Sequence, residues 1–158
     1  MKTWKTHKDE FNPNKPLKYI YPDQKKLKQK FIKFITPFLK KHKFFKKVWI
    51  WGSLSRGQFG IYETPYNEKH ASDIDLLIEV NEKSQIPKEL IEIKGWTKTR
   101  TYSRLFLSDL KFAHKLKSGK TITHTVDFIC HWPNIHTKPG FYSKVEISEL
   151  IYGSTSKP

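Results

Sequence analysis

The sequence predicts an α/β (α+β) domain in which helices cover a small mixed β-sheet. Three observations carry this. Apolar residues recur at helical spacing between Leu27 and Leu39, three short runs are rich in β-branched and aromatic residues, and the two kinds of segment alternate along the chain.

Residues 1–22 hold Pro13, Pro16 and Pro22 among lysines, asparagines and aromatics, a mixture that favours an extended N-terminal arm over a regular element. Residues 23–158 then form the single domain expected of a 158-residue chain. Asp23 is the candidate N-cap of a helix whose Leu27, Phe31, Phe34, Ile35, Phe38 and Leu39 make one apolar stripe, with Pro37 expected to kink or end it. Strands follow at Lys47 to Trp51 and at Ile74 to Val80, with a helical turn beginning at Gly52-Ser53. Between these, Tyr62 to His70, with Pro65 and Asn67, reads as an inserted loop and a candidate lid or acceptor contact. Tyr102, Phe106, Leu110 and Ala113 suggest a second helix closed near Gly119, widened by Leu105, Phe112 and Leu116. A third strand spans Thr121 to His131, and one short element of open type lies around Val145 to Tyr152.

Thirty Lys and Arg against 15 Asp and Glu give a formal net charge of +15, so polyanions are the expected macromolecular partners, RNA first among them. Hydrophobic residues at 37% are enough for a packed core and exclude a disordered tail. Cys130 is the single cysteine, so no internal disulfide forms; with no leading apolar run, a reducing, cytoplasmic setting is expected. No run approaches the roughly 20 apolar residues of a membrane span.

The chemistry-bearing residues fall in three places. Gly52-Ser53, followed by Arg56-Gly57, sits where a strand hands over to a helical turn: glycine permits close approach of backbone to a ligand, and the hydroxyl and free N–H groups suit phosphate. Asp73 and Asp75 stand two residues apart at the start of an apolar strand, which projects them from one face, where they can share a metal. Hard oxygen ligands of this kind suit Mg²⁺ or Mn²⁺. Asp127 lies inside the third strand among apolar neighbours, where an unpaired carboxylate is costly; if that strand lies beside the second, three carboxylates converge.

Gly52-Ser53, Arg56-Gly57, Ser72-Asp73-Ile74-Asp75-Leu76 and a later strand aspartate together resemble the signature of the DNA polymerase β-like nucleotidyltransferases, whose small members include the minimal, MNT-type proteins. The match covers Val48 to His131, about half the chain. The resemblance implies a palm-type sheet and transfer of a nucleoside monophosphate from an NTP such as ATP to an acceptor hydroxyl. It further implies that Gly52 and Ser53 hold the β- and γ-phosphates, that Asp73 and Asp75 bind Mg²⁺, and that Asp127 is the third carboxylate and activates the acceptor. Arg56 contacts phosphate or braces the loop. RNA or tRNA is the acceptor favoured by the charge. Protein or small-molecule acceptors, an MNT-like antitoxin acting with a partner protein or as a homodimer, and a non-catalytic RNA-binding module stay open.

Other residues read more plainly. His114, His124, His131 and His136 with Cys130 match no compact zinc spacing and read as surface or packing groups. Trp49 and Trp51 share a strand face and read as core. Lys98, Arg100, Arg104, Lys111, Lys115, Lys117 and Lys120 concentrate charge before the third strand, as a solvated face or a grip on phosphates.

Overall fold

The computed structural model describes residues 3–93, 104–130 and 149–153. Along the chain run β1 (Thr6–His7), β2 (Lys18–Ile20), α1 (Gln24–Lys41), β3 (Phe45–Trp51), α2 (Ser53–Arg56), β4 (Gly60–Tyr66), β5 (Lys69–Ala71), β6 (Ile74–Val80), β7 (Leu90–Glu92), β8 (Arg104–Lys115), β9 (Thr121–Cys130) and β10 (Glu149–Tyr152). The architecture is mixed α+β, mostly sheet. Six strands form one sheet in the order β10-β3-β6-β9-β8-β7, and four form another in the order β1-β2-β4-β5. Every pairing in the larger sheet is antiparallel except β6 with β9, which is parallel.

Helix α1 forms where the apolar stripe requires. Leu27, Phe31, Ile35 and Leu39 are buried on its inner face, and Phe38 packs on Phe45 and Phe128. Asp23 is the N-cap residue but makes no side-chain cap; the helix start is tied instead by Gln24, whose amide donates to the Tyr21 and Phe59 carbonyls and accepts from Phe59 N–H. Pro37 does not end the helix, which continues to Lys41.

The stripe seats α1 among Val48, Ile50, Leu76, Ile78, Phe106 and Phe128, all fully buried in one cluster. Residues displaced by one along the same strands point the other way, where Trp49, Leu77 and Ile129 form a smaller cluster with Trp51, Leu105 and Leu150. Core packing is thus the role of Trp49, and Cys130 is buried inside β9.

Three sequence expectations are corrected. Residues 104–115 form strand β8, not a helix. Tyr102, Phe106 and Leu110 are four apart, a spacing that satisfies a strand's period of two as well as a helix's, and strand pairing with β9 decides between them. Gly119, at φ +93°, belongs to the β8–β9 turn, where its N–H bonds the Leu116 carbonyl. Tyr62 to His70 is not a loop but the hairpin β4–β5, turned at Asn67 and Glu68, both with positive φ, as a two-residue hairpin turn requires. The N-terminal arm, expected to hold no regular element, carries β1 and β2, with β2 paired to β4 and Tyr21 buried in the core. The short element near the C-terminus is the edge strand β10 on β3. Tyr102 and the residues from Val145 to 148 lie outside the described residues. No helix among the described residues is long and apolar enough to cross a membrane.

Candidate active site

Strand register builds the site. Trp51 of β3 pairs with Asp75 of β6, Asp75 with Asp127 of β9, and Asp127 with Leu107 of β8, so one row crosses four strands with two carboxylates at its centre. Adjacent strands lie about 4.8 Å apart, and in-register residues share a face, so Asp75 and Asp127 stand abreast. The face is the one opposite α1. The convergence that depended on strand order is present for this pair.

After Trp51 the chain turns at Gly52, where φ is +77°, a conformation that favours glycine. A Cβ there would lie 2.8 Å from Asp75 Oδ2, so the turn and the carboxylate are closely apposed. Ser53 opens the single turn of α2, closed by the bond from Arg56 N–H to the Gly52 carbonyl. Gly52, Ser53, Arg56, Asp73 and Asp75 line one cleft of about 330 Å³, together with Trp51, Tyr62, Ser72, Lys15 and Lys18. Five of the six sequence-designated residues therefore share a cavity. Asp127 is not on that wall; it stands behind Asp75 in the row.

Asp73 is held otherwise. Its Oδ2 accepts a 2.7 Å bond from Lys69 Nζ and its Oδ1 a 2.6 Å bond from the Thr125 hydroxyl. Burial, reinforced by the charges of Asp127 and Asp73, pushes the Asp75 carboxyl up to about 7. Burial and the charge of Asp73 push Asp127 up to about 6. Burial pulls the Lys69 ammonium down, but its bond to Asp73 and the charges of Asp73, Asp127 and Asp75 outweigh that and leave it raised.

Lys15 and Lys18, which arrive from the N-terminal segment, were not legible in the sequence as site residues, whereas Tyr62 and Lys69 belong to the segment 62–70 that the sequence offered as a lid or acceptor contact. The one signal available was the alternation Lys18-Tyr19-Ile20-Tyr21, a strand pattern obscured by the surrounding prolines. Lys18 is only 5% exposed, and its Nζ donates 2.9 Å to the Gln58 carbonyl. Burial, with Lys15 and Arg56 nearby, pushes it down to about 8.

A larger cleft, about 600 Å³, opens on the other side of Asp73 between the β4–β5 and β8–β9 hairpins. Lys69, Lys111, Lys120, Tyr62, Glu63, Glu68 and the threonines at 121, 123 and 125 line it. Arg104, by contrast, is engaged structurally: its guanidinium bonds Glu92 at 2.8 and 2.9 Å and lies over the Phe106 ring. His124 is a packing group, buried between Tyr21, Phe59 and Phe112. Lys98, Arg100, His131 and His136 lie outside the described residues.

A scan against protein-family models and a search of curated proteins return no match to this chain. The functional reading stands on the site itself. As they stand, no three His, Cys, Asp or Glu side chains among the described residues are grouped to hold a metal ion. The donor chemistry nonetheless fits a hard divalent cation: the ligands on offer are carboxylate oxygens only, and two like charges held abreast are relieved by a cation. Asp73 would join them by exchanging Lys69 for the ion.

Proposed function

We propose that the chain is a metal-dependent nucleotidyltransferase of palm type, moving a nucleoside monophosphate from an NTP to an acceptor hydroxyl, with RNA as the acceptor. The observation that carries this reading is the in-register pair Asp75–Asp127 set beside the Gly52 turn.

Asp73, Asp75 and Asp127 would hold Mg²⁺ or Mn²⁺, which when bound lowers the pKa of the attacking hydroxyl and neutralises the triphosphate. Gly52 lets the backbone approach the phosphates, and Ser53 and Arg56 donate to their oxygens. Asp127, furthest from the Gly52 side of the row, accepts the proton of the acceptor hydroxyl. The acceptor oxygen bonds the α-phosphorus, the bond from that phosphorus to the bridging oxygen breaks, and pyrophosphate leaves. The larger cleft adjoining Asp73 gives the acceptor its approach, and the net charge of +15 favours a polyanion there.

The test is incubation of the chain with each labelled NTP, Mg²⁺ and total RNA, followed by mass analysis of RNA and protein. Nucleotide added to RNA and lost in Asp75→Ala supports the reading. Label on protein alone redirects the acceptor, and no transfer to any acceptor removes the catalytic claim.

A further inference from the structure

Lys18 is a cation in the wrong place for a purely structural role. It occupies a short strand, is almost wholly buried, carries three N–H donors, and has the Gln58 carbonyl as its one hydrogen-bond acceptor among the described residues. Its aromatic neighbour, Tyr62, lies 5.9 Å away by ring centroid. Of the charged side chains close to it, Lys15 and Arg56 repel it more strongly than Asp9 and Asp75 attract it. All three cations line the cleft that also holds Gly52 and Ser53, and neither Lys15, Lys18 nor Arg56 makes an ion pair among the described residues. The acids Asp73 and Asp75 line the same cleft. A buried ammonium kept beside two further cations, with donors unspent, calls for an anion.

We infer that Lys15, Lys18 and Arg56 form a polyphosphate clamp, so that the N-terminal segment is part of the nucleotide site and seats the outer phosphates of the NTP. This rests on the nucleotidyltransferase reading for the identity of its ligand, but the clamp itself is a separate claim about an anion. The placement is held by backbone pairing: Lys18 is in register with Tyr62 on β4, and Lys8 Nζ bonds the Lys15 carbonyl. The clamp therefore forms only when residues 15–20 are docked.

The probe is inorganic tripolyphosphate with Mg²⁺, titrated calorimetrically into the full chain. Lys18→Met keeps the stem and removes the charge; it should weaken binding about tenfold or more, with Lys15→Met weaker in effect. Lys26→Met, on the exposed side of α1, loses the same net charge and should bind as wild type. A measurement on the unaltered chain guards against misfolding: amine-reactive labelling read by mass spectrometry should show tripolyphosphate protecting the half-buried Lys15 but not the exposed Lys26. Wild-type affinity in a folded Lys18→Met, no tripolyphosphate binding to the wild type, or no protection of Lys15 overturns the clamp. The two claims separate cleanly. Protection and binding without NTP turnover leave the clamp standing and remove the transferase. Turnover whose KM is unmoved by Lys18→Met does the reverse.

Discussion

The Tyr21 hydroxyl and His124 Nε2 lie 2.9 Å apart in the core, fastening the end of the N-terminal segment to β9. The other ring nitrogen of His124 lies 2.8 Å from the Ser72 carbonyl, immediately before Asp73. One imidazole thus spans the segment that carries Lys18, the strand that carries Asp127 and the entry to the strand that carries Asp75.

His124→Leu should cost about 2–3 kcal/mol, because two buried polar partners lose their bond at once. Burial pushes His124 down to about 4. Its contribution is therefore full above its ordinary value near 6.5 and is lost as pH falls through about 4. Urea unfolding between pH 4 and 8 should show that acid-side loss in the wild type and a flatter profile in the variant; equal profiles would refute this role for the imidazole.

The paired carboxylates slope the other way. Asp75 and Asp127 are raised above the ordinary value of about 4, so the stability they contribute is full below that value and is lost as pH rises through about 6 to 7. Asp75→Asn and Asp127→Asn should therefore each raise the Tm by several degrees at pH 8, with the gain gone at pH 4. Transfer activity should fall in both. A Tm gain independent of pH would show that neither carboxyl is raised in the fold.

Gly52→Ala combines a left-handed backbone with a methyl group 2.8 Å from Asp75 Oδ2. The expected loss is about 1–3 kcal/mol. Adding Asp75→Ala should recover the part due to the carboxylate and leave the part due to φ, which a double-mutant cycle in denaturant resolves as a coupling energy. Additive losses would mean that the two residues do not meet.

Gly60 is the corresponding position within the smaller sheet, between β2 and β4. A Cβ there would fall 1.9 Å from the Tyr19 carbonyl oxygen, so Gly60→Ala forces β2 and β4 apart. Amide exchange of residues 18–20 should accelerate, and with it tripolyphosphate affinity should fall. Unchanged exchange at Ile20 would refute the close approach.

The grouping of the candidate residues was more legible in the sequence than the sheet. Asp73, Asp75, Gly52 and Ser53 were readable because their chemistry is local: carboxylates at period two, and a glycine where a strand must turn sharply. Asp127 was readable as an acid out of place, but its partner was set by the parallel register of β6 and β9, which no local pattern encodes. Strand β8 was misread because even-numbered spacing is shared by strands and helices, and only pairing with β9 separates them. Lys18 and Lys69 were not legible as individual residues for a related reason: a lysine in a basic sequence has no distinctive neighbours, and it is the pairing of β2 with β4 that buries Lys18 and the β4–β5 hairpin that carries Lys69 to Asp73.

The parallel register of β6 and β9 also sets an order in time. Asp75 and Asp127 meet only after the chain between Val80 and Thr121 has closed on itself, a long loop whose entropy is spent before any pairing rewards it. The Gly52 turn and the Asp75 strand belong to an earlier stage, since β3 pairs with β6 over a much shorter separation. Until β9 docks, Asp75 stands beside its glycine turn with Asp73 as its like-charged neighbour, and repulsion from Asp127 enters only with that docking. The charge conflict between Asp75 and Asp127 thus enters after β3 and β6 have paired.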